Sequence, residues 1–81
     1  MSITTEQISN MIAAEVSEAD IEVVGADGKY QIKVIADIFN GLNSVKRQQA
    51  IYRIINGLIS SGTIHAVSML LLTKDEHAQS E

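Results

Sequence analysis

The chain has 81 residues, a formal net charge of −4 and no cysteine. This length predicts one domain with one hydrophobic core over residues 1–81, with residues 79–81 frayed. Without cysteine the chain cannot form a disulfide, a zinc ribbon or an iron–sulfur cluster by itself. We expect a soluble cytoplasmic protein that does not bind membranes, because no apolar run reaches membrane-spanning length and Met1 precedes a polar helix start. The acidic charge argues against broad attraction to nucleic acid.

The first predicted element is a helix over residues 4–16. Thr4 and Gln7 have the spacing of a capping box, in which each side chain bonds to the backbone of the other residue. Apolar residues follow at helical spacing, namely Ile8, Met11, Ile12 and Val16. This stripe must pack against a core that the rest of the chain supplies, because an isolated helix of this length is marginal.

Two β-branched runs, 21–24 and 30–36, predict a hairpin. The segment 25–29 between them contains Asp27-Gly28, a strong hairpin-turn signal. Alternation in the second run places one set on the core face, namely Tyr30, Ile32, Val34 and Ala36, and leaves Gln31, Lys33 and Ile35 on the other.

A second helix is predicted over residues 44–60, capped by Asn43 or Ser44. Its buried stripe consists of Ile51, Tyr52, Ile55, Leu58 and Ile59. Gly57 costs about 1 kcal/mol relative to alanine inside a helix, so we expect a break or close packing there.

The run 64–72 is the most apolar stretch of the chain and predicts a central strand. Strict alternation places His65, Val67, Met69 and Leu71 on one face of this strand. At most one helical turn follows, within residues 74–78.

The order of these elements predicts an α+β fold with a three-stranded mixed sheet, a right-handed crossover and both helices on one face. The open face then carries Val24, Ile35, Leu70 and Leu72. Such residues are either ordinary scattered exposure or a surface for self-association. Because Leu70 and Leu72 are adjacent on one strand face, we favour a weak homodimer through this face.

Two segments resemble the signatures of BolA-like proteins. Residues 39–52, FNGLNSVKRQQAIY, are similar to F-x-G-x-S-x-V-x-R/K…V-Y, and residues 64–68, IHAVS, with Thr73 and an acidic pair, are similar to I-H-A-L/V-S…T-P-E-E. The resemblance covers roughly residues 20–77. The Lys-Arg-Gln-Gln run is closer to the short, YrbA-like bacterial branch of the family.

The resemblance implies an αββααβ arrangement similar to the type II KH fold. It also implies an adaptor that binds a monothiol, CGFS-type glutaredoxin in iron–sulfur cluster or iron homeostasis. His65 then stands where the family's histidine can ligate a 2Fe-2S cluster shared with the glutaredoxin cysteine and glutathione, while the chain alone holds no cofactor. The implied partner-binding residues are Asp27, Gly28, Lys46, Arg47, His65 and Ala66. They would border a groove between the 25–29 loop, the start of helix 44–60 and the start of strand 64–72.

The sequence departs from the family pattern in the hairpin loop, where the family's second ligand is a histidine or cysteine. Residues 25–29 contain neither, and the carboxylate of Asp27 is a hard oxygen ligand that suits iron–sulfide chemistry poorly. His77 takes the position of a tryptophan, Asn43 that of the motif serine and Lys74 that of the proline. His65 is therefore the one candidate cluster ligand in this sequence.

Other interpretations remain open. His65 is alternatively an imidazole at a strand edge, bonded to the backbone. Lys46, Arg47 and Arg53 form either a solvated helix face or the contact surface of a KH-like nucleic-acid-binding transcriptional regulator. The segment 41–44 has a single glycine where KH domains use a GxxG loop to clamp the nucleic-acid backbone. We predict no enzymatic activity, because Ser68 and Thr73 lie on strands and the sequence has neither a Ser-His-Asp spacing nor a phosphate-binding glycine loop.

Overall fold

A computed structural model describes residues 3–79. The elements are α1 (Thr5–Glu15), β1 (Asp20–Ala26), β2 (Lys29–Ile35), a 3-10 helix (Asp37–Phe39), α2 (Ser44–Ser60), β3 (Ala66–Leu72) and α3 (Lys74–Gln79). This order confirms the α+β fold. Gln79 is the last residue of α3, and residues 80 and 81 lie outside the described part of the chain, so the fraying of residues 79–81 stays a prediction. Within that part, no helix is long and apolar enough to cross a membrane.

The sheet has the strand order β1-β2-β3. β1 pairs antiparallel with β2 and β3 pairs parallel with β2, which confirms the mixed sheet. The prediction of a central third strand is wrong, because the hairpin places β1 on one edge of β2 and the connection through α2 places β3 on the other. β3 is also shorter than predicted, since Ile64 and His65 precede it.

Hydrogen bonds cap the beginning of α1 and join it to the beginning of β2. Thr4 Oγ1 accepts a hydrogen bond from the Gln7 amide at 3.0 Å, and the Gln7 side chain accepts one from the Thr4 amide at 2.9 Å, so the predicted capping box is present. The hydroxyl of Tyr30 donates to the carbonyl of Ile3 at 2.9 Å. This bond holds the beginning of α1 next to the beginning of β2.

The core lies between the sheet and the two long helices. Alternation in β2 is confirmed, because Tyr30, Ile32, Val34 and Ala36 are all buried against α1 and α2. Ile35 is also buried, contrary to its predicted place on an open face. It lines a depression together with His77 of α3, so the chain after β3 covers this corner of the sheet.

The second helix keeps its predicted bounds, and the Asn43 side chain caps it by accepting from the Lys46 amide at 2.9 Å. Tyr52, predicted to be buried, is 39% exposed, because the helix turns it about 100° away from the fully buried Ile51. No break occurs at Gly57, and a Cβ at this position would have no neighbour within 4 Å. The predicted break or close packing is therefore wrong.

Candidate functional site at the start of β3

His65 lies in the connection between α2 and β3, directly before the first residue of β3. Its backbone amide donates to the carbonyl of Gly28 at 2.7 Å, and the amide of Ala66 donates to the same oxygen at 3.1 Å. Lys29 then pairs with Ala66 as the parallel ladder begins. These bonds place His65 beside the turn of the β1–β2 hairpin, at the end of the sheet where β2 and β3 start.

The hairpin turn leaves space for the imidazole of His65. Asp27 and Gly28 have φ values of 57° and 81°, as a two-residue hairpin turn of type I′ requires. A Cβ on Gly28 would overlap with Cδ2 of His65 and would lie 3.2 Å from its Cγ and Nε2. The ring therefore packs on the bare α-carbon of Gly28. Position 28 requires glycine for two reasons, its backbone conformation and its contact with His65.

The imidazole nitrogens point to no partner within the described residues. The ring is exposed, and among residues 3–79 no side-chain hydrogen bond or ion pair involves it. The alternative interpretation expected a hydrogen bond between the imidazole and the backbone. In the structure it is the backbone amide of His65 that makes a hydrogen bond, to the carbonyl of Gly28. One neutral imidazole with unbonded nitrogens is a competent metal ligand.

A cluster site within this chain is not complete. In the described part of the chain, no group of three or more histidine, cysteine or acidic side chains could hold a metal ion. Asp27 is the acidic residue of the adjacent turn, and its oxygen atoms match iron–sulfide chemistry poorly. The residues of this chain therefore do not fit a whole 2Fe-2S cluster, and His65 can only complete a donor set that another molecule brings.

The start of α2 lies at the opposite end of the sheet. The Arg47 guanidinium donates from Nη1 to the carbonyl of Leu71 at 3.1 Å and from Nε to the carbonyl of Leu42 at 2.9 Å. Leu71 is five strand residues beyond Ala66, a distance of about 16 Å. The predicted groove is therefore wrong, because the hairpin loop and the start of β3 meet while the start of α2 does not reach them.

The end of α2, rather than its start, borders the His65 site. The amide of Ile64 donates to the carbonyl of Leu58 in the last turns of this helix at 3.0 Å. The side chains of Ser61 and Thr63 bond to each other at 2.9 Å in the connection that follows. Of the six predicted partner-binding residues, the structure thus brings together Asp27, Gly28, His65 and Ala66, and it separates Lys46 and Arg47 from them.

Arg47 belongs to a network within the chain. Its guanidinium forms an ion pair with Glu76 at 2.6 Å and lies 5.9 Å from the centre of the Phe39 ring. The Arg47 side chain is only 14% exposed. A positive patch of Lys46, Arg47 and Arg53 is therefore not formed. Lys46 and Arg53 are exposed, and Arg53 lies over the groove between α1 and α2.

Glu76 also caps α3. The Thr73 amide donates to the Glu76 carboxylate at 2.8 Å, and the Glu76 amide donates to Thr73 Oγ1 at 3.1 Å. The hydrogen bond from Arg47, followed by the bond from the Thr73 backbone, lowers the pKa of Glu76 from its ordinary 4.5 to about 2. The T-x-x-E spacing of residues 73–76 is a capping-box signal that the sequence analysis missed.

The sequence of this chain matches a known protein family and individual known proteins. The family model described as BolA-like protein matches residues 2–76. An uncharacterized protein in the rpoN-murA intergenic region of Acinetobacter guillouiae is 35% identical over 74 residues, which cover 91% of this chain and 89% of the relative. The acid stress protein IbaG of Escherichia coli K12 is 29% identical over 73 residues, with 90% and 87% of the two chains covered.

The fold also matches a solved structure. The structure of a bolA protein homologue from Coxiella burnetii superposes with a TM-score of 0.76 and 28% identity, over 94% of this chain and 97% of that chain. The matched region includes every element from α1 to β3 and both ends of the sheet. From its sequence and from its fold, this chain belongs to the BolA-like protein family.

Proposed function

We propose that this chain is a cytoplasmic adaptor that binds a monothiol, CGFS-type glutaredoxin and takes part in iron–sulfur cluster or iron homeostasis. Its membership of the BolA-like family supports this role, since the resemblance at residues 64–68 includes the histidine of the IHA segment. The observation that carries the proposal is the exposed imidazole of His65, which packs on Gly28 and has no bonding partner among the described residues.

The geometry of His65 suits a cluster ligand whose companion ligands come from another protein. The ring of His65 is held by its contact with Gly28, so little side-chain freedom is lost when a partner binds. The partner and glutathione would supply the thiolates that this cysteine-free chain lacks. Asp27 and Ala66 border the imidazole and would form the contact surface around it. A 2Fe-2S cluster, when bound, would supply iron sites for the imidazole nitrogen and electron storage.

The test is to mix the chain with a cluster-loaded CGFS glutaredoxin and record visible absorption, visible circular dichroism and the mass of the complex. We expect a heterodimer and a changed spectrum with the natural chain. His65→Ala should remove the spectral change, whereas His77→Ala, a matched change at the other end of the sheet, should retain it. An unchanged spectrum together with no heterodimer would contradict the proposal. A spectral change that survives in His65→Ala would contradict the ligand assignment alone.

No structural observation favours the KH-like nucleic-acid regulator over the adaptor. The Arg47 guanidinium is bonded to Glu76, and the net charge of the chain is −4. A fluorescence titration with duplex and single-stranded oligonucleotides over a salt series tests this alternative, because binding through phosphates must weaken as salt rises. The name of the IbaG relative makes acid stress a suitable condition in which to examine cells that lack this protein.

A further inference from the structure

The outer edge of β3 carries unpaired backbone groups. The amide of Ala66 and the carbonyl of Leu72 both bond toward β2, to Gly28 and to Ala36. Since successive residues of a strand direct these groups to opposite sides, Val67, Met69 and Leu71 direct theirs outward. The Leu71 carbonyl accepts from Arg47 at 3.1 Å. No described residue bonds to the outward amide and carbonyl groups of Val67 and Met69.

At Val67 and Met69 this edge lacks the usual protection against pairing with another strand, whereas Arg47 covers it at Leu71. Natural sheets protect their edges with charged residues, prolines or bulges. The sequence of β3, AVSMLLL, has no charge and no proline, and its register with β2 is continuous. The opposite edge, β1, carries Asp20 and Glu22. β3 itself therefore brings no carboxylate to its outer edge, and Glu76, which lines the groove beside this edge, is already paired with Arg47.

Apolar side chains surround the same edge. Gln48 of α2 lines a groove of about 440 Å³ together with Met69 and Leu70 of β3. Val45 and Tyr52 lie three residues before and four residues after Gln48, so they share its face of α2. Val45 is 62% exposed, Tyr52 39% and Leu70 52%. Three of the five large apolar side chains exposed in the described part of the chain thus lie around the edge of β3.

We propose that β3 pairs antiparallel with β3 of a second copy of this chain, about a two-fold axis at Ser68. In this register Val67 of each copy exchanges hydrogen bonds with Met69 of the other, and the bond from Arg47 to Leu71 remains. A second copy fits because an uncharged strand meets its own uncharged edge and the exposed side chains of both α2 helices meet beside it. The pairing uses the backbone edge of β3, whereas a dimer through the open sheet face would use side chains alone; Leu70 borders both surfaces. The proposal does not depend on the glutaredoxin role.

The association is tested first by sedimentation equilibrium from micromolar to millimolar concentration, with amide hydrogen exchange measured by NMR over the same range. We expect the mean mass to rise toward that of a dimer. The amides of Val67 and Met69 should become protected as the concentration rises, while those of Ser68 and Leu70, directed toward β2, should be protected throughout. A monomer mass at every concentration overturns the proposal, and so does a dimer without new protection at Val67 and Met69.

A pair of lysine variants separates the edge from the open face. Ser68 and Gln31 are exposed neighbours on that face, directly paired in the β2–β3 register. Ser68→Lys would set two like charges directly opposite each other across the proposed axis and should weaken association by about fivefold. Gln31→Lys should leave it unchanged, and far-ultraviolet circular dichroism confirms the fold of both. Equal weakening by the two variants would assign the dimer to the open face and overturn the proposal.

Discussion

The imidazole of His65 occupies the space that a side chain at position 28 would need. The Gly28 carbonyl also accepts the His65 amide at 2.7 Å, so the turn sets both the backbone position and the direction of the ring. The two residues are far apart in the sequence, and the hairpin turn and the start of β3 bring them together. The orientation of the proposed ligand therefore depends on a glycine.

Replacing Gly28 with alanine should displace the imidazole. The φ value of 81° costs an alanine about 1 to 2 kcal/mol, and the added Cβ would overlap with the ring. We expect a lower free energy of unfolding in urea and a reduced spectral change with cluster-loaded glutaredoxin, even though His65 is retained.

Gly41→Ala is the matched control for this change. Gly41 has a φ value of 80°, but a Cβ there would meet nothing within 4 Å. This variant should therefore show the backbone cost alone and a full spectral response. If Gly41→Ala and Gly28→Ala reduced the response equally, the contact between Gly28 and His65 would have no role in orienting the ring.

The ion pair between Glu76 and Arg47 should make stability depend on pH in acid. The pKa of Glu76 is lowered from 4.5 to about 2, chiefly by the hydrogen bond from Arg47. The folded state therefore favours the charged carboxylate, and its stabilisation is complete above about pH 4.5 and is lost as the pH falls through about 2. Glu76→Gln should lower the free energy of unfolding at neutral pH, and its difference from the natural chain should disappear near pH 2.

Urea unfolding of both proteins at a series of pH values measures this difference. Asp75→Asn, which removes an exposed carboxylate one position earlier in α3 and leaves the ion pair between Arg47 and Glu76 in place, serves as the control for a change of charge in this helix. A constant difference between the natural chain and Glu76→Gln from pH 7 to pH 2 would contradict a stabilising role for the charged carboxylate.

Gly57→Ala should stabilise the protein. Gly57 lies within the continuous helix α2, and an added Cβ would meet no atom within 4 Å. Alanine is favoured over glycine in a helix interior by about 1 kcal/mol, so the free energy of unfolding should rise by up to that amount. Gly62→Ala, at a φ value of 81° just after α2, should have the opposite effect. A lower free energy of unfolding in Gly57→Ala would contradict this prediction.

Local signals predicted much of the fold. The Asn43 cap and the polar residues after Ser60 mark both ends of α2, and alternation in β2 identified its buried face. The order of the strands could not be predicted in this way, because an apolar run reports burial and does not specify the neighbours of a strand. β3 is apolar because one face meets the core, although it lies at the edge of the sheet.

Only part of the site was predicted, because contacts between residues that are distant in the sequence depend on how the strands are arranged. The sequence and its family resemblance identified His65 and Gly28 individually, but their contact depends on how the hairpin meets β3. Arg47 looked like a surface cation until the fold brought Glu76 to it from 29 residues away. Of the bonds made by Glu76, the cap of α3 had a local sequence signal, its spacing from Thr73, and the ion pair with Arg47 had none.

The most direct test of the central claim is pulsed electron paramagnetic resonance on the reduced, cluster-loaded heterodimer, with the chain labelled with ¹⁵N and the glutaredoxin unlabelled. If His65 ligates the cluster, the spectrum should contain a ¹⁵N coupling from a directly bound imidazole, present in His77→Ala and absent in His65→Ala. A heterodimer that shows no such coupling, or retains it in His65→Ala, would contradict the assignment of His65 as the ligand.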